Sequence, residues 1–453
     1  MLRERIIAYI ESKEMEKLKT MLANAEELEI LYAFNDLTFE EQVIVFRLLS
    51  KNNALELFEG LDTSQQQNLV QSFTDERAVE FVNGMAPDDR VRLLDELPAI
   101  VAKKLINSLS PKEREVTNAL MGYKPETAGH IMTPEFISLK RDMTASEALD
   151  KIRRQAQEME TIYTLYITDK TKKLDGALTL KALVCADSNT KIEDIMSKNT
   201  ISVSTDTDQE EAARMMQELD LLAIPVVDKE GRMVGIVTID DAVDILEEEA
   251  TEDIYDAAGL ADITGNESDR SEVLVNGNMW SIWRVRMPFL LITLAAGMFS
   301  GAIIEGFEEA LESIAVVAIF IPLIMDMGGN VGTQSSTVFA RGVVLGHINI
   351  KSFLQPFFKE IGVGFSMGVL IGTAAGIITA IWQGMPLLGL AVGLSLVFTM
   401  TLASLLGFLV PYILIKFNVD QAAGSAPIIT SIKDIAGLII YFMIVSAFLS
   451  HLL

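Results

Sequence analysis

Residues 326–337 read DMGGNVGTQSST, and they lie inside a run apolar enough to cross a membrane. Lipid offers no partner to a carboxylate or an amide, so the aspartate, asparagine and glutamine here must face protein or water. Pro322, Gly328, Gly329 and Gly332 weaken a regular helix, so the backbone is expected to break here, against a neighbouring helix or a water-filled cavity. Asn330 and the Thr and Ser residues after it offer neutral oxygens and amides along several faces. Working outward, five apolar stretches can be drawn at 286–304, 314–339, 360–382, 387–415 and 427–450, each long enough to span a bilayer.

The charge of the 453 residues is −26, and it is unevenly shared. From residue 284 onward seven Lys and Arg stand against eight Asp and Glu, a net of −1 that leaves −25 on the first 283 residues. Such acidity serves solubility, and it also disfavours nucleic acid as a partner and favours cations. A single cysteine, Cys185, excludes a disulfide scaffold, and three scattered histidines, His130, His347 and His451, argue against zinc or copper. A bound metal must then take oxygen ligands, which points to Mg2+ or Ca2+. No P-loop, HExxH or nucleophile–base pair occurs, so the chain does not read as an enzyme.

Basic residues sort to one side of the apolar stretches. Arg284 and Arg286 precede the first, Arg341, Lys351 and Lys359 lie between the second and third, and Lys416 lies between the fourth and fifth. The other connections, EGFEEALES and QGMP, hold none. The positive-inside rule then places the amino terminus in the cytosol and the carboxyl terminus outside the cell (inner or plasma) membrane. The opening MLRERIIAYIESKEMEKLK is charged and helical in pattern, unlike a signal peptide.

In the first 120 residues an offset of 24 superposes Leu37, Leu61, Met85 and Leu109, then Phe34, Phe58, Val82 and Ile106, then Val45, Leu69 and Leu93. Each unit is an apolar helical pattern, a polar turn and a second short helix, so residues 1–129 are expected to form a superhelical all-α domain. A second duplication starts at 131, where IMTPEFISLKRDMTASEAL matches IMSKNTISVSTDTDQEEAA at an offset of 64. The match resumes at 59, with YITDKTKKLDGALTLKAL against PVVDKEGRMVGIVTIDDAV. Each copy reads strand, helix, a strand ending in Asp169 or Asp228, a turn, and a strand entering a helix.

These residues resemble an α/β tandem cystathionine-β-synthase (CBS) pair over 130–253, with copies at about 131–193 and 194–253. The resemblance implies a regulatory module that often binds ATP or another adenine nucleotide. The usual ribose-contacting Thr and Asp fall on Thr238 and Asp240, whereas Lys181 stands at the matching Asp position of the first copy. Next comes IDDAVDILEEEATEDIYDAAG, in which Asp240, Asp244, Glu247 and Glu248 fall on or near one helix face. Like charges at such spacing destabilise a helix, so this is a solvated acidic face or one that binds a cation.

PLIMDMGGNVGTQSS, from Pro322, is similar to the P…GGNxGxQ motif of the MgtE-type magnesium transporters, and NVDQAAGSAPIITSIKDIAG to their final-helix motif. The likeness covers the chain in order: helical N domain, CBS pair, acidic linker with a connecting (plug) helix at 254–283, and an α-helical five-span domain at 284–453. It implies a homodimer with one ion path on the two-fold axis, gated by the cytosolic domains, with Asp434 as the pore carboxylate. Asp420, Asn330, Gly328 and Gly329 belong to the same motifs. Ala426 stands where some members carry Asn, so no side-chain role transfers there. Lys433 neighbours Asp434 but should point about 100° away on a helix, which makes it a poor partner.

Mg2+ sheds its waters reluctantly, so a lone carboxylate per subunit suits a hydrated ion. Two carboxylates about 5 Å apart at an effective dielectric of about 20 repel by roughly 3 kcal/mol, and a few such pairs reach the roughly 5.5 kcal/mol that throws a two-state switch. The reading is therefore a Mg2+ transporter or channel closed when cytosolic Mg2+ bridges Asp88, Asp89, Asp95, Asp240, Asp244, Glu247, Glu248 and Glu252. Alternatives are a Co2+, Mn2+ or Ca2+ transporter, or a membrane-bound Mg2+ or nucleotide sensor without flux.

Overall fold

The computed structural model describes residues 2–449 except 13, 60, 62, 73–74, 98, 262–266, 308–314 and 418–424. The chain divides into two compact units, Met1–Glu249 and Ala250–Leu453.

The first unit opens with short helices from Leu2–Glu11 through Pro111–Leu120. The columns spaced by 24 are its core: Phe34, Phe58 and Val82, then Leu37, Leu61, Met85 and Leu109, then Val45, Leu69 and Leu93 are all buried. The polar turns start helices. Thr38 and Glu41 form a reciprocal capping box, Ser110 caps by accepting from the Glu113 N–H, and Pro87 and Pro111 occupy first-turn positions. A polar column shares the period. Gln42, Gln66 and Arg90 donate to carbonyls eight residues back, to Phe34 at 3.0 Å, Phe58 at 2.8 Å and Val82 at 2.8 Å. Each carbonyl lies in the last turn of a helix, where i→i+4 donors run out, and each unit adds a side-chain donor to its predecessor's helix end; the Phe34 and Phe58 carbonyls also accept from the Leu37 and Leu61 N–H.

The CBS pair follows as two three-stranded sheets, each with a parallel and an antiparallel pairing. Ser138–Leu139 lies beside Thr164–Thr168, which pairs with Leu174–Thr179; Val203–Ser204, Ala223–Val227 and Met233–Thr238 repeat the arrangement. Asp169 and Asp228 each accept two backbone N–H groups across the turn. The copies exchange their leading residues: Thr133 and Ile236 trade two backbone hydrogen bonds, and so do Ser197 and Ala177. These pairs are related by the offsets of 64 and 59, so the duplication is a two-fold exchange in space.

The second unit holds the helix Glu267–Asn276 and five spans, Met279–Glu305, Ala315–Val344, Leu354–Gln383, Pro386–Lys416 and Ile429–Phe448. Val317, Phe320, Ile324, Leu396, Leu438 and Phe442 are among its buried core. The third and fourth spans meet on glycine. A Cβ on Gly372 would lie 2.4 Å from the Gly393 carbonyl oxygen, and one on Gly389 2.4 Å from that of Gly376. Gly364, Gly368, Gly372 and Gly376 repeat every four residues, the spacing that lets two membrane helices pack backbone to backbone.

The second span corrects an expectation. Ile321–Val344 is one continuous α-helix, preceded by a 3-10 segment at Ala315–Phe320. Pro322 sits in the first turn, where its missing N–H costs nothing, and the glycines serve as a notch for a neighbouring helix.

Candidate functional site

Three spans converge on that notch. A Cβ on Gly328 would meet Thr399 of the fourth span at 2.9 Å and the Lys433 stem at 3.4 Å, and one on Gly329 would meet the Lys433 ammonium at 2.9 Å. The four-carbon stem of Lys433 therefore lies across side-chain-free helix. Its ammonium donates to the Met325 carbonyl at 2.7 Å and pairs with the Asp434 carboxylate. The expectation that Lys433 points away from Asp434 is thus wrong. An ammonium within a span needs oxygen partners, and the notch lets the stem bend back to these two. The oxygen that meets the ammonium is Asp434 Oδ1, which is buried, and Thr399 Oγ1 is buried without a hydrogen-bond partner among the described residues.

The polar residues of the second span divide by face. Gly328, Gly332, Ser335 and Ser336 are buried against the chain. Asp326, Asn330, Thr333, Gln334 and Thr337 are exposed, and at 100° per residue they form one stripe. Asn330 donates to Asp326 at 3.3 Å along it. On the buried side Ser335 donates to Glu360 at 2.6 Å and Ser404 to the same carboxylate at 3.3 Å.

In the first unit carboxylates from three places gather: Asp88 and Asp89 from the helical array, Glu160 from the first CBS copy, and Asp240, Asp241, Asp244 and Glu248 from the helix Ile239–Ala257. Asp88 is buried with Oδ1 unpaired, and burial, then Asp241, Asp89 and Glu160, holds its carboxyl well above the usual range. Burial, reinforced by Asp240 and Asp89, pushes Glu160 to about 7. Burial raises Asp241 to about 7 as well, against the Thr238 hydroxyl, which donates to it at 2.5 Å. Arg92 is the cation that faces this group, 3.4 Å from Asp244 and 3.5 Å from Glu248. A surplus of negative charge around an orphaned carboxylate oxygen fits a divalent cation. Among the described residues no three His, Cys, Asp or Glu side chains converge to ligate a bare ion, so such an ion keeps water in its shell.

Residues 321–444 match the MgtE divalent cation transporter family, 25–126 the MgtE intracellular N domain, and 128–189 and 192–248 the CBS domain. The chain is 34% identical over 433 residues to the magnesium transporter MgtE of Thermus thermophilus, covering 94% of each. It is 31% identical over 449 residues to that of Bacillus subtilis, covering 99% of this chain and 97% of the relative. The chain belongs to the MgtE family of magnesium transporters. A crystal structure of the cytosolic domain of the Mg2+ channel MgtE in complex with ATP matches 54% of this chain and 99% of its own, at 33% identity and a TM-score of 0.52. The soluble part of a magnesium transporter matches 55% of this chain and 98% of its own, at 28% identity and a TM-score of 0.51. This MgtE protein therefore transports Mg2+ as a multi-pass membrane protein, which is not an enzymatic function.

Within this MgtE chain the expected residues scatter more than their sequence proximity suggests. Asp88, Asp89, Asp240, Asp244 and Glu248 gather, with Glu247 beside Glu248. Asp95 instead faces His130, 2.6 Å from Nε2, and that contact raises the histidine's pKa. Glu252 lies in the second unit, Asp420 lies outside the described residues, and Ala426 falls in the final helix at a position whose side chain is not described. Thr238 engages Asp241, while Asp240 is exposed. Sequence reasoning missed Glu160, Asp241 and Arg92. Asp241 was within reach, because a threonine ending a strand commonly caps the helix that follows, and the candidate partner then lies three residues on.

Proposed function

We propose that this transporter conducts Mg2+ into the cytosol through a path centred on Asp434, in a homodimer whose second copy covers the polar stripe of the second span. Two polar features of the membrane unit carry this reading. Asp434 is a largely buried carboxylate whose Oδ1 meets the Lys433 ammonium, a cation in the place proposed for the ion, and Asp326, Asn330, Thr333 and Gln334 are exposed where lipid would otherwise lie. Such groups in a span call for water, an ion or another copy. A hydrated Mg2+ suits a site of one carboxylate per subunit, with Gly328 and Gly329 permitting close approach of the helices. Arg341, Lys351, Lys359 and Lys416 support a cytosolic amino terminus and an external carboxyl terminus.

Closure is assigned to cytosolic Mg2+ held through water among Asp88, Asp89, Asp240, Asp241, Asp244 and Glu160, whose repulsion returns when the ion leaves. ATP or another adenine nucleotide is assigned to the CBS pair near Thr238, supported by the ATP complex of the related cytosolic domain. Flux into liposomes carrying a trapped Mg2+ indicator tests the reading. Wild-type flux shut by Mg2+ on the cytosolic face and absent in Asp434→Ala is expected. Robust flux in Asp434→Ala removes that carboxylate from the centre of the path.

A further inference from the structure

Where the second span turns into the third, a cavity of about 600 Å³ opens between the end of the Ile321–Val344 helix, the turn after it and the first two turns of Leu354–Gln383. Its shape is built in. Gly346, at φ +69°, reverses the chain, and the Ile348 N–H donates to the Gly342 carbonyl at 2.7 Å. A Cβ on Gly342 would lie 2.6 Å from Ile348 Cδ1, so the turn seats on a glycine. Beneath it the buried Phe353 stacks on Tyr412 with centroids 3.8 Å apart and packs edge-on against Phe339.

Arg341, His347 and Lys359 line this cavity and are exposed. Among the described residues none of their side chains makes a hydrogen bond or ion pair. Glu360 also lines it, and its Oε1 is held by the Ser335 and Ser404 hydroxyls. Two permanent cations, an imidazole and the positive end of a 30-residue helix dipole thus face one carboxylate that is partly occupied elsewhere. The rim is apolar and open: Val338 and Leu345, which line it, are each 54% exposed, and Phe358, next in sequence to Lys359, is exposed too.

We propose that this cavity binds the phosphate headgroup of an anionic phospholipid from the leaflet on the Arg341 side, with the acyl chains lying along Val338, Leu345 and Phe358. The cationic pocket favours a net-negative headgroup over a zwitterionic one, whose ammonium it repels, and the adjoining apolar rim selects a lipid over a free phosphate, which has no use for it. The assignment rests on the membrane spans alone and is independent of which carboxylate holds the ion.

The test uses the delipidated full-length protein in detergent, titrated with phosphatidylglycerol or phosphatidylcholine and read by native mass spectrometry. Wild type is expected to hold phosphatidylglycerol about tenfold or more tighter than phosphatidylcholine. Arg341→Gln with Lys359→Gln abolishes that preference, and the charge-conserving pair Arg341→Lys with Lys359→Arg keeps it, which separates lost charge from lost folding. Equal retention of both lipids by wild type, or a preference that survives the glutamine pair, overturns the proposal. So does displacement of phosphatidylglycerol by an equal concentration of inorganic phosphate, since the site would then be a phosphate site without use for the acyl chains.

Discussion

On the path proposed above, Lys433 occupies the place at Asp434 that a transported cation would need. A buried carboxylate stripped of its partner costs on the order of 3–5 kcal/mol, so the lysine stabilises the empty site, and an incoming Mg2+ must displace an ammonium tethered in place. In Mg2+-free detergent, Lys433→Met is expected to melt lower than wild type, and millimolar Mg2+ is expected to raise its melting temperature more than it raises that of wild type. Lys433→Met with Asp434→Asn, having no charge left to compensate, should regain stability without Mg2+. An equal Mg2+ response in Lys433→Met and wild type would detach the lysine from the ion site. This partnership was hidden in the sequence because helical spacing treats side chains as short radial vectors. A four-carbon stem crossing Gly328 and Gly329 instead ends up one turn or more from its own Cα.

At the level of elements, glycine decides how the third and fourth spans meet. Gly372→Ala drives a Cβ into the Gly393 carbonyl, backbone against backbone, and should cost about 1–3 kcal/mol, read as a lower melting temperature. Gly301→Ala meets nothing within 4 Å and should leave it unchanged. A second joint, between the helices Pro87–Glu96 and Ala128–Ile131, is held by Asp95 and His130. The histidine's pKa is raised in the fold, chiefly by its hydrogen bond to Asp95, so the stabilisation is full below its ordinary value near 6.5 and is lost as pH rises through the raised one. The melting advantage of wild type over Asp95→Asn should therefore be present at pH 6 and fade towards pH 8.5; an advantage that is flat with pH would rule out the charged pair. Both duplications were legible because a repeat writes its core as columns, and Phe34, Phe58 and Val82 are buried as that period requires. The unbroken second span was not legible. Gly328 and Gly329 have the same composition whether they break a helix or make room for its neighbour, and only Lys433 and Thr399 in place distinguish the two.

Over the whole molecule the surplus of −25 on the first 283 residues has a local address. Composition located it in the soluble half, and the helix pattern drew attention to Asp240, Asp244 and Glu248. The meeting of those residues with Asp88, Asp89 and Glu160 depends on how the array seats on the CBS pair, which no spacing along the chain encodes. If the cluster is the sensor, its cost without Mg2+ and its response to Mg2+ have one origin and must change together. Asp88→Asn with Asp241→Asn removes two carboxyl groups whose charged forms burial and like-charged neighbours disfavour. In the absence of Mg2+ the variant should be more stable than wild type by about 1–3 kcal/mol, a rise of several degrees in melting temperature for this unit. Wild type should gain comparable stability from Mg2+, since a ligand at a hundred times its dissociation constant contributes about 2.7 kcal/mol, and it should gain protease protection with it. The variant should gain little of either. A variant that starts no more stable and responds to Mg2+ as wild type does would move the sensor away from these residues, leaving the surplus charge to solubility.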